Sequence, residues 1–211
     1  RRMFFNLFGK WRKPVGKMTD QEVFDRIKPV IVDLLGVYDY EVKLDAHLVC
    51  DLSADESDYR ELPVLLGKRC NIVIPESDRP EMRRIVRTVQ DLVDFIKGDK
   101  EKIHQRQHSY FSREVRHILR DVLGVGTLQI TSSSHLINDF SADAVDFEAI
   151  VMALVEKPKF GVPVMVQYMP NAEAECESGV YCITDVGESF SIATVGDLVR
   201  FVERYNEKMI V

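Results

Sequence analysis

The sequence is poor in the features that mark several protein classes. Only 19 of its 211 residues are glycine or proline, and 45% are hydrophobic, so neither a disordered nor a collagen-like chain fits. No apolar run approaches the roughly 20 residues that a membrane-spanning helix needs. The four cysteines, Cys50, Cys70, Cys176 and Cys182, form no C-x-x-C pair and show no zinc spacing. Cys50 and Cys70 sit among apolar neighbours and read as small core residues, while Cys176 and Cys182 flank Gly179 closely enough to cross-link a hairpin. The head of the chain does not read as a secretory signal, so free thiols in a reducing cytoplasm are expected. There is no Walker loop, no G-x-G-x-x-G and no G-x-S-x-G. His104 and His108 stand four apart but lack a third ligand, so no metal is expected, and no nucleophile–base constellation marks an enzyme.

A basic surplus is lacking as well. The net charge is −6, which argues against a nucleic-acid partner. The charge is unevenly spread. Residues 1–17 carry six of the 28 basic residues (Arg1, Arg2, Lys10, Arg12, Lys13, Lys17) and no acid, leaving 22 basic against 34 acidic residues, a net of −12, on the rest. Such an acidic body would steer an electropositive partner toward itself. The head also holds Met3, Phe4, Phe5, Leu7, Phe8 and Trp11. Aromatics mixed with cations over residues 3–13 suit peripheral contact with a membrane surface, a partner groove, or an arm that folds back on the body.

What the chain does have is an internal repeat. Residues 47–58, HLVCDLSADESD, return as residues 135–146, HLINDFSADAVD, with seven of twelve positions identical at an offset of 88. Upstream, Leu35-Gly36-Val37 matches Leu123-Gly124-Val125 at the same offset. Downstream, Thr88-Val89-Gln90-Asp91-Leu92-Val93 matches Thr194-Val195-Gly196-Asp197-Leu198-Val199 at an offset of 106. The second copy therefore holds about 18 additional residues between its second and last helices.

Each copy reads as helical. Thr19 caps a first helix with Val23, Phe24, Ile27, Val30, Ile31 and Leu34 inward, ended by Gly36. A long loop leads to a second helix starting at Ser53 or Asp55 and running from about 55 to 69, which Pro63 near its middle predicts to be short, kinked or begun again at Pro63. Thr88 caps the last helix, with Val89, Leu92, Val93 and Ile96 on one face and Gly98 at its end. In the second copy the predicted caps are Ser112, Asp143 and Thr194. Their inward faces are Val115, Ile118, Leu119 and Val122, then Phe147, Ile150, Val151 and Leu154, then Val195, Leu198, Val199 and Val202. Residues 99–109 read as a polar linker. Residues 162–168 and 180–184 are β-prone and predict a two-stranded hairpin within an insertion at about 162–187. The expected architecture is thus mainly α: an arm (1–17), a first helical domain (18–98), a linker (99–109) and a second helical domain (110–211).

The repeated unit resembles an acyl carrier protein. Family members end a first helix in leucine-glycine-valine. They open the second with aspartate-leucine-glycine-alanine-aspartate-serine-leucine-aspartate and start the last with threonine-valine. Here the matching stretches are Asp51-Leu52-Ser53-Ala54-Asp55-Glu56-Ser57-Asp58 and Asp139-Phe140-Ser141-Ala142-Asp143-Ala144-Val145-Asp146. The resemblance implies two tandem carrier-like bundles, the second with a hairpin-like insertion. It also implies that a serine directly after the second aspartate carries phosphopantetheine. That position holds Glu56 in one copy and Ala144 in the other, so no cofactor is expected. Ser57 offers a hydroxyl one residue later, about 100° further round a helix.

The resemblance further implies partner recognition through the acidic second helix. Asp55, Glu56 and Asp58 mark that face in copy one, and Asp139, Asp143, Asp146 and Glu148 in copy two. Residues 131–156 contain no Lys or Arg, whereas Arg60, Pro63 and Gly67-Lys68-Arg69 interrupt copy one. The expected function is a non-enzymatic interaction module for a partner with a basic surface, either a lipid- or polyketide-pathway enzyme or a toxin neutralised in the manner of an immunity protein. The alternatives are a true carrier using Ser57 and a membrane-associated adaptor using residues 3–13.

Overall fold

In a computed structural model the chain is mainly α-helical and divides into two compact units, residues 1–103 and 104–211. The structure describes residues 17–160, 162, 167–169, 181–185 and 188–208. The basic arm, apart from Lys17, and Cys176 lie outside the described residues, as does the tip of the insertion. Among the described residues, no helix is long and apolar enough to cross a membrane.

Unit 1 contains α1 (Asp20–Leu35), α2 (Glu56–Cys70), α3 (Arg79–Ile85) and α4 (Val89–Lys97). Its helices begin and end where side-chain chemistry dictates. Thr19 and Glu22 form a capping box at α1, and Gly36 closes the helix at φ 66°. Thr88 and Asp91 do the same at α4, closed by Gly98 at φ 83°. Val23, Ile27, Val30 and Ile31 of α1 pack with Leu62 and Leu66 of α2 and Val89, Leu92 and Val93 of α4 in a buried core. Leu34 and Ile96, expected inside, are half-buried at the edge of that core.

Pro63 does not break α2. The helix runs through it without a restart, although proline removes one backbone donor. The continuity has identifiable supports. Asp55 and Asp58 form a capping box, Lys68 and Arg69 complement the last turn, and Asn71 adopts the left-handed cap at φ 54°. Tyr59, Leu62, Pro63, Leu66 and Cys70 are buried along one side. The short α3 was not foreseen; its Met82 and Ile85 are buried, Arg79 and Arg83 are half-buried, and Arg84 is exposed.

Residues 100–109 of the linker form the first part of a 24-residue helix, α5 (Lys100–Leu123). Ser112 is therefore no cap. It lies inside the helix and accepts a hydrogen bond from the Arg116 guanidinium at 3.1 Å. The cause is visible in composition: residues 99–123 contain no glycine and no proline, so nothing stops the helix.

Unit 2 continues with α6 (Ala144–Val155) and α7 (Val195–Lys208). Its core joins Phe111, Val115 and Leu119 to Phe147, Ile150, Leu154, Leu198 and Val202, while Val122 is only half-buried. The insertion forms three antiparallel strands rather than two: β1 (Gln167–Met169), β2 (Tyr181–Asp185) and β3 (Glu188–Ile192), in the order β1-β2-β3. Ile183 of β2 pairs with Tyr168 and with Phe190. The missed strand, β3, carries Phe190 and Ile192 alternating with serines. Ile192 is buried, and Phe190 stacks edge-on against Phe201 of α7 with centroids 5.3 Å apart. In chain order this sheet takes the place that α3 holds in unit 1.

Candidate functional site

In both units the loop before the second helix is held by the same set of backbone bonds. In unit 1, the His47 N–H donates to Asp51 Oδ2 at 2.8 Å, and the Cys50 N–H donates to His47 Nδ1 at 3.1 Å. In unit 2, the His135 N–H donates to Asp139 Oδ2 at 2.7 Å, and the Asn138 N–H donates to His135 Nδ1 at 3.4 Å. Each imidazole thus closes a loop turn, as expected for histidines at matching positions. The loop is tied to the last helix in both. Leu48 N–H donates to the Arg87 carbonyl (2.8 Å) and Leu136 N–H to the Ala193 carbonyl (2.9 Å). Val89 N–H donates to Ala46 (3.1 Å) and Val195 N–H to Ser134 (3.0 Å). Every pair obeys the sequence offsets of 88 and 106.

Just before the capping aspartates, Ser53 and Ser141 both adopt the left-handed conformation, at φ 58° and 56°. This costs an L-residue about 1–2 kcal/mol relative to the right-handed form, and glycine avoids the cost. Both serines are exposed. Ser53→Gly and Ser141→Gly are each expected to stabilise their unit by about 0.5–1 kcal/mol, read as an upward shift in the urea midpoint. No gain from either would show that the serine hydroxyl compensates for the strain.

The candidate partner-binding acids fall into two groups. Asp55 with Asp58, and Asp143 with Asp146, are reciprocal capping boxes at the starts of α2 and α6. Asp139, like Asp51, anchors the histidine turn. These carboxylates orient the helix starts, with oxygens already engaged by backbone N–H groups. Glu148 differs: it is exposed midway along α6. Glu56, the first residue of α2, is gripped by two cations. Arg60 bonds its carboxylate from the next turn, and Arg83 of α3 stands 3.7 Å away. In unit 2 the equivalent first residue is Ala144, which is exposed and offers only a methyl group.

Ser57 Oγ donates to Asp55 Oδ1 at 2.7 Å. This bond, with the backbone N–H of Asp58, holds the Asp55 carboxyl below its usual value. Between α1 and α2 lies a small apolar crevice. It is lined by Ile31, Leu34, Leu48, Ala54, Tyr59 and Leu62 among others. Tyr59 is buried beneath it, its hydroxyl donating to the Val86 carbonyl at 2.9 Å, and burial pushes its pKa well above the ordinary tyrosine value. Among the described residues no three His, Cys, Asp or Glu side chains gather as a metal site, and His108 instead meets Glu203 at 2.7 Å.

Comparison with known proteins identifies the fold. The acyl carrier protein of Wolinella succinogenes is 38% identical over 78 residues, covering 97% of that protein and 37% of this chain. The chain belongs to the acyl carrier protein family. The acyl carrier protein of Campylobacter lari is 33% identical over 76 residues, 94% of its length. That of Clostridium acetobutylicum is 32% identical over 80 residues, 99% of its length. Each accounts for 36–38% of this chain, so a single carrier domain leaves well over half of it unmatched. No family model matches the chain. The helix-start loop, the capping aspartates and the residue after each of them are the features of this carrier-family member on which a functional reading rests.

Proposed function

We propose that the chain is a non-catalytic pair of carrier folds that works without phosphopantetheine, binding protein partners through the second helix, chiefly α6. The observation that carries this reading is the chemistry of the residue after each capping aspartate. Phosphopantetheine would be joined through an alcohol oxygen there, and the residues present do not fit it. Ala144 has no oxygen, and the Glu56 carboxylate is already held by Arg60 and Arg83. The recurrence of the loop bonds at fixed offsets supports duplication of one fold. The acidic outer side of α6 supports a partner with a basic surface: a lipid- or polyketide-pathway enzyme, or a toxin.

One observation favours a second reading. Ser57 is exposed at the start of α2, and its hydroxyl is oriented by Asp55. In that reading unit 1 is a carrier with a displaced attachment point. Intact-mass measurement after co-expression with a promiscuous phosphopantetheinyl transferase separates the two. The proposal expects the unmodified mass. An added arm that disappears in Ser57→Ala would replace it with the carrier reading.

A further inference from the structure

Two tyrosines of unit 1 stand outside its core. Tyr38 and Tyr40, in the loop after α1, are 68% and 69% exposed, and their rings stack with centroids 5.4 Å apart and planes 10° from parallel. The turn that carries them is firmly built. Glu41 N–H donates to the Tyr38 carbonyl at 3.0 Å, and Tyr38 N–H donates to Glu41 Oε2 at 2.7 Å. Lys28 of α1 holds Asp39 at 2.8 Å, yet the Asp39 side chain remains 78% exposed.

Unit 2 supplies an internal control. At the offset of 88 its turn reads Gly126-Thr127-Leu128-Gln129 and repeats both bonds. Gln129 N–H donates to the Gly126 carbonyl at 2.9 Å, and Gly126 N–H donates to Gln129 Oε1 at 3.3 Å. The turn therefore forms without an aromatic ring and without a carboxylate. What unit 1 adds lies at the surface: two rings, and a surplus of acid over residues 38–45, with Asp39, Glu41 and Asp45 against Lys43 alone.

The face of an aromatic ring is negative and attracts cations, and carboxylates beside it strengthen that attraction. Both features reject an anionic ligand. A guanidinium group suits the pair better than an ammonium group, because it is planar, stacks on a ring and forks a carboxylate. We propose that the Tyr38–Tyr40 turn is a docking point for an arginine side chain on a basic segment of a partner protein. The bonds within the turn and the stacking of the rings leave little freedom to be lost on binding. The inference goes beyond the reading of α6, since this contact lies in unit 1 and stands whether or not α6 binds a partner.

The test titrates the full chain into two labelled peptides, one with several arginines spaced by glycine and one with lysines in their place, read by fluorescence anisotropy. The arginine peptide is expected to bind more tightly by about two- to fivefold, the worth of one exposed cation–ring contact. Tyr40→Leu, and the pair Tyr38→Gly with Tyr40→Leu, copy the unit 2 turn and leave every charge in place. In both variants the preference for arginine should vanish, with circular dichroism verifying that the helices persist. Glu148→Gln on α6 should leave the preference as it is. Three outcomes overturn the proposal: equal binding of the two peptides by the parent; a preference that survives the loss of both rings; and a preference lost in Glu148→Gln, which assigns the arginine to α6. None of these bears on the intact mass, so the absence of an attached arm stands or falls separately.

Discussion

On the proposed reading, Ala144→Ser is expected to let unit 2 take a prosthetic arm nearly quantitatively. The expectation follows from what unit 2 retains. Its second helix opens on an intact Asp143–Asp146 capping box, with Val145 N–H and Asp146 N–H both donating to Asp143 Oδ1 at 2.8 and 2.9 Å. The loop before it has the same bonds from His135 and Leu136 that unit 1 makes from His47 and Leu48. Ala144 is exposed at the first helical position, so a hydroxyl there meets solvent and an incoming transferase without displacing core atoms. Serine at that position costs the helix only tenths of a kcal/mol. Glu56→Ser in unit 1 is the contrasting case. It frees Arg60 and Arg83 beside the new hydroxyl and leaves a mixed-charge face where unit 2 is uniformly acidic. Its modification is expected to be at least tenfold slower, about 1.4 kcal/mol in the barrier. Intact mass after timed incubation with transferase and coenzyme A reads both. Failure of Ala144→Ser to gain mass would mean that unit 2 has lost transferase recognition beyond the serine. Equal rates for the two variants would remove the role given to the arginines.

Much of this arrangement was legible in residues whose effects are local. Thr19, Asp55, Thr88, Asp143 and Thr194 announce helix starts because a capping side chain bonds a backbone N–H within three positions, and Gly36 and Gly98 announce ends because the closing residue has a positive φ. Short elements were less legible. α3 buries only Met82 and Ile85 in seven residues, too few to set a periodicity, and β3 has two apolar positions in five. Pro63 neither shortens nor restarts α2, because buried residues on either side of it hold the helix, a contribution that local propensity leaves out. The ties between loop and last helix were illegible for a different reason. They join backbone atoms about 40 residues apart in unit 1 and nearly 60 in unit 2, with no side-chain signature. The grip of Arg83 on Glu56 comes from α3, the element the sequence did not reveal.

The largest loss of stability from a polar substitution is expected at Asp91. Its carboxylate accepts the N–H groups of Arg87 at 3.1 Å and Thr88 at 3.0 Å, and it completes the capping box of α4. It is only 1% exposed, and Arg87, at 3%, is equally enclosed. Asp91→Ala therefore removes a cap and strips two enclosed donors of their acceptor, together about 3 kcal/mol. Hydrogen exchange in unit 1 should accelerate roughly a hundredfold, since each tenfold corresponds to ~1.4 kcal/mol. Acceleration below threefold would show that water replaces the carboxylate at no cost. Asp197 has the same place in unit 2 but is half-buried, so Asp197→Ala should cost less. It adds a pH signature. Burial alone would raise its carboxyl, but bonds from the Thr194 and Ala193 backbone, the Thr194 hydroxyl and the Arg200 charge bring it below the usual carboxylate range. A depressed folded-state value means that the ionised form stabilises the fold. That contribution is complete above the unfolded-state value and is lost as pH falls through the folded one. Urea unfolding of the parent should therefore weaken below about pH 4. Asp197→Asn, less stable at neutral pH, should lose that part of the slope. An unchanged acid slope would show that another carboxylate governs it.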